Sequence, residues 1–416
     1  MAATGDGMAD RRVLAALGGA ALLFYALTPE RDAPASVRDP LAIHDRVLTI
    51  DTHIDIGPDY ATEALDPGGF TRAQVDLPSM RVGGLDAGFF IVYTAQGPRD
   101  AAGYAAAREA AEEKHRGLRR LLRAYPDEVA LATSADAVEA IARTGRRVML
   151  IGMENAYPLG ESVADVALWA ERGVRYVSIT HFGHNQFGGS SNPRADLGDA
   201  PEDPGLTDLG RALVAALNDH GIMVDVSHVG RRSMMEAVAL SRAPVIASHS
   251  GAKAVWDNPR NLDDEQLRAI AEGGGVAQMV AYRSYVGPVD PAMAAAQAAL
   301  RERLGLTSGA AFRAASPVTL ETYARELRVL RAAHPDVTLA QFVDHVDHAV
   351  SVVGIHHVGL SGDFDGGGGV GGWDGADESP NVTRELLKRG YSEADLAKLW
   401  GGNVLRVMRA AERAAR

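Results

Sequence analysis

From residue 41 onward, short apolar runs rich in β-branched residues alternate with Ala-, Leu- and Arg-rich segments of helical length and spacing. Strands separated by helices pair in parallel, because the chain must cross back over the sheet before the next strand begins. Eight runs stand in order: Val47–Asp51, Ala87–Tyr93, Val148–Glu154, Val174–His181, Ile222–His228, Pro244–His249, Val276–Tyr282 and His357–Asp363. Eight parallel strands close into a (β/α)8 barrel, so the alternation predicts an α/β fold of the TIM-barrel type. In such barrels aliphatic side chains fill the interior and reactive groups stand at the carboxyl ends of the strands.

The barrel is expected to span residues 41–416 as one domain, and no internal repeat or second boundary interrupts it. Thr207 reads as the N-cap of a helix over Asp208–His220 that Gly221 stops, and Asp263 as the cap of Asp264–Glu272. Ala102–Ala124 reads as an outer barrel helix. Between the seventh and eighth strands, from about 287 to 355, the interval is too long for one crossover. Its helical patterns near Pro291–Leu304, Val318–Ala333 and Leu339–Val353 predict a helical excursion, either a lid or a contact between two copies in a homodimer. The run Gly366–Gly372 lacks the Gly-Lys-Ser/Thr ending of a phosphate loop and reads as a mobile loop over the barrel mouth.

Composition narrows the chemistry. With 54 acidic against 42 basic residues the net charge is −12, which argues against a nucleic-acid partner and favours a small-molecule substrate. The chain has no cysteine, so disulfides, thiolate metal sites and a Cys nucleophile are excluded, and any metal must rest on His and carboxylate ligands. No Ser stands in a G-x-S-x-G nucleophile motif. At the amino terminus Arg11-Arg12 precede an uncharged, mostly apolar run, Val13–Leu27, and then Pro29-Glu30-Arg31-Asp32. That is the order of an export signal, and the run is short for a span of about 20 residues. Residues 1–35 are therefore set apart from the fold as an export signal, or as an uncleaved anchor holding residues 11–28 in the membrane. Either way the barrel is expected outside the cytoplasm, in the periplasm or facing it.

The strand ends are conspicuously polar. On a strand, side chains two apart point the same way, so His53 and Asp55 in Asp51-Thr52-His53-Ile54-Asp55 can grip one metal ion. The third run ends in Glu154, the fourth in His181, the fifth in His228, the sixth in His249 and the eighth in Asp363. A single His at a strand end is usually a hydrogen-bonded structural residue; seven such groups converging on one face are a metal site. The donors exceed what one zinc ion needs, which favours a two-metal site bridged by Glu154. Zinc suits such N/O ligands best, with manganese and cobalt as alternatives.

These residues lie in an ordered series: Asp51–Asp55, Asp76-Leu77-Pro78 with Gly83-Gly84, Gly152-Met153-Glu154, Thr180-His181, Asp225-Val226-Ser227-His228, Ser248-His249-Ser250, Arg260-Asn261 and Gly362–Gly366. From about Leu41 to the carboxyl end the chain resembles the membrane (renal) dipeptidases, zinc peptidases of the amidohydrolase superfamily. The resemblance implies a (β/α)8 barrel that hydrolyses dipeptides with two Zn2+ per chain. It makes His53 and Asp55 ligands of one zinc, His228 and His249 ligands of the other, and Glu154 the bridge. It further implies that His181 holds the scissile carbonyl oxygen, that Arg260 clamps the substrate carboxylate, and that Asp363 moves protons. Tyr282 would stand near the oxyanion. On that reading a water shared by the zinc ions supplies hydroxide near neutral pH, Asp363 passes its proton to the leaving amine, and no covalent intermediate forms.

Two departures fall beside the substrate. Many relatives carry Gly-Gly after the bridging Glu where this chain has Asn155-Ala156, and the run Phe182-Gly183-His184 differs from theirs. They put the substrate preference in question, and so two alternatives stand beside the dipeptidase reading: an amidohydrolase acting on N-acyl amino acids, lactams or a secondary metabolite, and a barrel without catalysis serving as a binding or maturation factor. Of the remaining histidines, His184 is close enough in sequence to join the site. Asp365 reads as a loop-capping carboxylate.

Overall fold

The structure, a computed structural model, describes residues 39–307, 309–334 and 337–416. The expected leader, residues 1–35, lies outside the described residues. Nine strands form one parallel sheet: β1 (Ile50–Ile54), β2 (Ala87–Tyr93), β3 (Val129–Leu131), β4 (Arg147–Glu154), β5 (Val174–Ser178), β6 (Met223–Asp225), β7 (Ile246–Ser250), β8 (Val276–Val280) and β9 (Val358–Ser361). Eight of them run in the order β1-β2-β4-β5-β6-β7-β8-β9. Past the last strand the Asp55 amide donates to the Phe364 carbonyl at 2.8 Å, so the ends of the sheet meet and the barrel is nearly closed.

The ninth strand, β3, has no counterpart among the expected runs. β4 is long: Arg147–Met149 pair with β3, whereas β5 pairs only with Ile151–Met153 on the same edge. A three-residue strand covers the edge that β5 leaves bare, and three residues are too few to show a pattern in sequence.

Several strands end earlier than the apolar runs do. β6 stops at Asp225 and β9 at Ser361, and past them His228 and Asp363 take positive φ values of 66° and 50°. Left-handed backbone cannot continue a strand, so these residues turn off the barrel rim and into its mouth. β1 is displaced the other way and contains His53.

The helices form where their caps predict. Thr207 accepts from the Gly210 amide and starts Asp208–Asp219, and Asp263 with Gln266 makes a capping box for Asp264–Glu272. Leu339–Val353 packs on β8, β9 and the Asp264–Glu272 helix, and so belongs to the outer ring. The excursion proper is smaller than 287–355: it comprises the helices Pro291–Arg303, Gly309–Ala314 and Pro317–Ala333. At the opposite end of the barrel, helix Asn403–Ala414 buries Val404, Leu405, Val407, Met408 and Ala411, spaced along one helical face. They pack on Ile50, Val148, Met223, Ile246 and Val276 at the strand starts and close the barrel bottom with apolar surface. Polar groups are left only one end to occupy.

Candidate metal centre

Glu154 ends β4 fully buried and stands at the middle of the mouth. Its Oε1 lies 3.0 Å from His228 Nε2 and 3.3 Å from His249 Nε2, while its Oε2 lies 3.6 Å from His53 Nε2. On the far side of His53, Asp55 Oδ2 is 3.5 Å from the same Nε2. His181 Nε2 is farther from Glu154 Oε1, at 3.8 Å. The structure thus brings together His53, Asp55, Glu154, His181, His228, His249 and Asp363. Three overlapping groups have ligand atoms within 4.8 Å of one another: His53–Glu154–His249, Glu154–His181–His228 and His53–Asp55–Asp363. They cut across the expected pairing, because the His249 ring lies 3.8 Å from that of His53 and 4.9 Å from that of His228.

Hydroxyl groups orient two of the imidazoles. Tyr176 on β5 donates to the Thr52 carbonyl at 3.0 Å, so its oxygen is left to accept from His53 Nδ1 at 2.9 Å. Ser248 donates to Asp225 at 2.6 Å and accepts from His249 Nδ1 at 2.8 Å. With Nδ1 held as a donor, each ring turns its Nε2 toward Glu154, so that the neutral ring would offer that nitrogen to a metal ion. His228 Nε2 faces His249 Nε2 across 2.8 Å, and its Nδ1 has no partner. Burial pushes both rings well below the usual imidazole range, so they stand neutral with ring nitrogens in near contact. His53 is pushed the other way: burial opposes its charge, but Glu154 and Asp55 outweigh burial. Negative potential at His53 Nε2 and crowded donors at His228 and His249 both favour cations, and the donor set fits divalent metals that take N and O ligands.

Among the described residues, four of the five non-glycine residues with positive φ are here: Asn155, His228, Asp363 and Asp365. Strained backbone gathers where side chains must be aimed against local preference. Backbone conformation accounts for Asn155 directly after Glu154. Its φ of 73° suits Gly, and Asn is among the few other residues that tolerate it. Its buried side chain donates to the Thr94 carbonyl and accepts from the Tyr157 amide and the Asn185 side chain.

Around the donors stand the other expected residues. Burial lowers His181 below the usual imidazole range, and its ring packs against Tyr93 and Phe182. Arg260 is 2 % exposed, donates to the His249 carbonyl at 2.9 Å and lies over the Tyr285 ring at 5.1 Å. Among the described residues no carboxylate pairs with it, and its Nε has no partner. A buried guanidinium without a counter-charge is a site for an anion. It lines a cavity of about 210 Å3 together with His228, Ser190 and Ser191. Tyr282 stacks on Tyr285 with ring centroids 4.2 Å apart. Burial lifts the Asp363 carboxyl well above the usual carboxylate range, and nearby Asp55 and Glu154 add to the shift against the pull of His53.

A family model described as membrane dipeptidase, peptidase family M19, matches residues 38–416. The chain belongs to that family. Dipeptidase aclJ of Aspergillus oryzae is 32% identical over 352 residues, covering 82% of this chain and 71% of the relative. Dipeptidase tcpJ of Claviceps purpurea is 31% identical over 296 residues; that match covers 71% of this chain and only 58% of the relative's length. Among solved structures, the probable dipeptidase PvdM from Pseudomonas aeruginosa superposes with a TM-score of 0.79 at 33% identity, covering 90% of this chain and 98% of its own. As a membrane dipeptidase of family M19 the protein is a metallopeptidase on a TIM barrel, and its ligand-type residues are those gathered at Glu154.

Sequence reasoning missed the groups that hold the site in place. Tyr176, Ser248 and Asp225 orient His53 and His249, and Lys114 Nζ stands 3.5 Å from Asp55 Oδ1 over the Tyr93 ring. Asp225 and Ser248 were visible in the motifs that flank His228 and His249, without a role. Tyr176 and Lys114 carry no local signal. His184 is structural: Nε2 donates to the Ala200 carbonyl and Nδ1 accepts from the Ser190 amide. Asp365 accepts from the Gln74 and Val75 amides and caps that turn. The glycine run is no free flap, since the amides of Gly368, Gly369 and Gly371 donate to Asp363, Ala281 and Val337.

Proposed function

We propose that this membrane-dipeptidase family member hydrolyses the peptide bond of dipeptides at a pair of zinc ions. The observation that carries the reading is the division of Glu154: one carboxylate oxygen faces His53, with Asp55 beyond it, and the other faces His228 and His249. His53 and Asp55 would hold one ion, His228 and His249 the other, with Glu154 shared. Bound there, zinc would supply Lewis acidity toward the scissile carbonyl and lower the pKa of a water to near neutrality.

The chain's own groups supply the rest. Arg260, buried without a counter-charge, receives the free carboxylate of the substrate and fixes where the peptide bond lies. Neutral His181 donates a proton-bearing nitrogen to the carbonyl oxygen as charge develops on it. Asp363 takes the proton that the attacking water gives up and passes it to the departing amine as the C–N bond breaks. Tyr282 borders the same space. The reaction is placed outside the cytoplasm on the strength of Arg11-Arg12 and the apolar run that follows.

Elemental analysis joined to a dipeptide panel tests this reading. Purified chain is expected to bind about two metal ions and to gain peptidase activity on zinc loading. Glu154→Gln removes the shared charge and is expected to lower occupancy of both positions. Unchanged stoichiometry in that variant would overturn the bridging role. Turnover of N-acyl amino acids or lactams with no dipeptide cleaved would replace the substrate, and full metal occupancy without any turnover would favour a binding protein.

A further inference from the structure

Beside the mouth lies a cavity of about 850 Å3, larger than the one beneath Arg260. Pockets of roughly 300–1,000 Å3 hold drug-sized ligands, so its volume far exceeds the need of a small dipeptide. Its outer wall is the excursion: Met293, Phe312, Tyr323, Ala324 and Leu327. Phe312 meets Tyr323 edge-on at 5.2 Å, and Gln297 donates to the Tyr323 hydroxyl at 3.1 Å, so the wall is built and held. Yet helix Pro317–Ala333 has no buried residue along its length, although Tyr323 and Leu327 face inward one turn apart. Both are half-buried and give the cavity an apolar surface on the side turned toward the barrel.

The inner wall connects this cavity to the reacting groups. It includes Tyr282, Gly366 and Gly367. A Cβ at Gly366 would stand 2.3 Å from Asp363 Oδ1 and 2.4 Å from Asp55 Oδ2, so only the bare glycine separates the cavity from both carboxylates. Direction follows from Arg260. The guanidinium lies over Tyr285, Tyr285 stacks on Tyr282, and Tyr282 opens on the cavity. With the substrate carboxylate on Arg260 beside His228, the amino-terminal residue points across the donors toward Asp55 and Gly366.

We propose that this cavity is a subsite for an extended aromatic side chain on the amino-terminal residue of the substrate, so that the enzyme prefers dipeptides bulky at that position. This rests on the dipeptidase reading above. An aromatic group inserted between Phe312, Tyr323 and Leu327 covers the open face of the helix. Charged side chains share the lining: Asp374 lies 2.7 Å from Arg331 and 3.5 Å from Arg283.

The zinc-loaded full chain is tested with alanyl-glycine, 4-phenylphenylalanyl-glycine and the reversed glycyl-4-phenylphenylalanine, with calorimetric binding measured in parallel. The bulky amino-terminal peptide is expected to exceed alanyl-glycine in kcat/KM by about tenfold or more, the scale set by burying an aromatic ring. Ala324→Trp and Leu327→Trp fill the cavity from a helix with nothing buried to disrupt, and each is expected to bring that ratio toward unity. Preference for the reversed peptide, or a ratio that both variants leave intact, overturns the proposal. So does a concentration-dependent dimer that the variants dissolve without changing the ratio, since the face then meets a second copy. Loss of turnover for all three peptides with the binding preference kept would refute the dipeptidase reading and leave the subsite standing.

Discussion

Asp363 and Arg260 are buried ionisable groups that make no ion pair among the described residues, and that isolation gives each a separable role. Asp363 sits at φ 50° among Asp55, Glu154 and His53. Asparagine tolerates the same left-handed backbone, so Asp363→Asn keeps the turn and removes only the exchangeable proton. It is expected to lower kcat by about 10²–10⁴ with metal content unchanged, read by steady-state kinetics and elemental analysis on one preparation. Metal loss in that variant would instead make Asp363 a ligand, a role its grouping with His53 and Asp55 makes worth testing. For Arg260 the substrate carboxylate is the missing counter-charge. Hydrogen bonds to charged groups contribute about 1.5–3 kcal/mol, so Arg260→Ala is expected to cut kcat/KM at least about tenfold. A carboxyl-amidated dipeptide should lose comparable rate on the native enzyme and little more on the variant. Equal turnover of the acid and the amide would show that no clamp operates.

At the level of elements, the mouth depends on where strands stop and on the glycine run after β9. The bridges from Gly369 to Tyr282 and from Gly371 to Thr338 tie this run to the end of β8 and the start of helix Leu339–Val353. Gly366 lies inside that tethered segment at ordinary φ, so a side chain there costs contact and not backbone strain. Gly366→Ala is therefore expected to fold, with a thermal midpoint near the native one. Its methyl would push Asp55 and Asp363 aside and lower both metal affinity and turnover. A variant with native metal affinity and rate would show that the loop gives way, and that the close approach of Gly366 does not shape the site.

On the scale of the whole molecule, apolar surface closes one end of the barrel and polar side chains crowd the other, so binding and chemistry share a single face. No helix of the described residues is long and apolar enough to cross a membrane. Delivery of the barrel across one would rest on the segment before residue 39. A reporter that is active only in the periplasm, fused after residue 35, is expected to give signal; activity confined to a cytoplasmic reporter would remove the export proposal.

Periodicity by itself determined the eight barrel strands and the helices between them, because burial on one or both faces writes a repeat of 2 or 3.6 into the residues. Residue type at the strand ends likewise marked His53, Glu154, His228 and His249 as groups that meet at the mouth, since polar side chains must stand where the barrel opens. What only tertiary structure decided lies between elements distant in sequence. Tyr176 reaches His53 from four strands later in the chain, Asp225 reaches His249 through Ser248, and Lys114 reaches Asp55 from a helix. No local pattern encodes such contacts, for each depends on the stagger with which neighbouring strands meet around the barrel. The cavity behind Gly366 is of the same kind: the excursion was legible as helices, but the face it leaves open exists only once those helices stand over the barrel mouth.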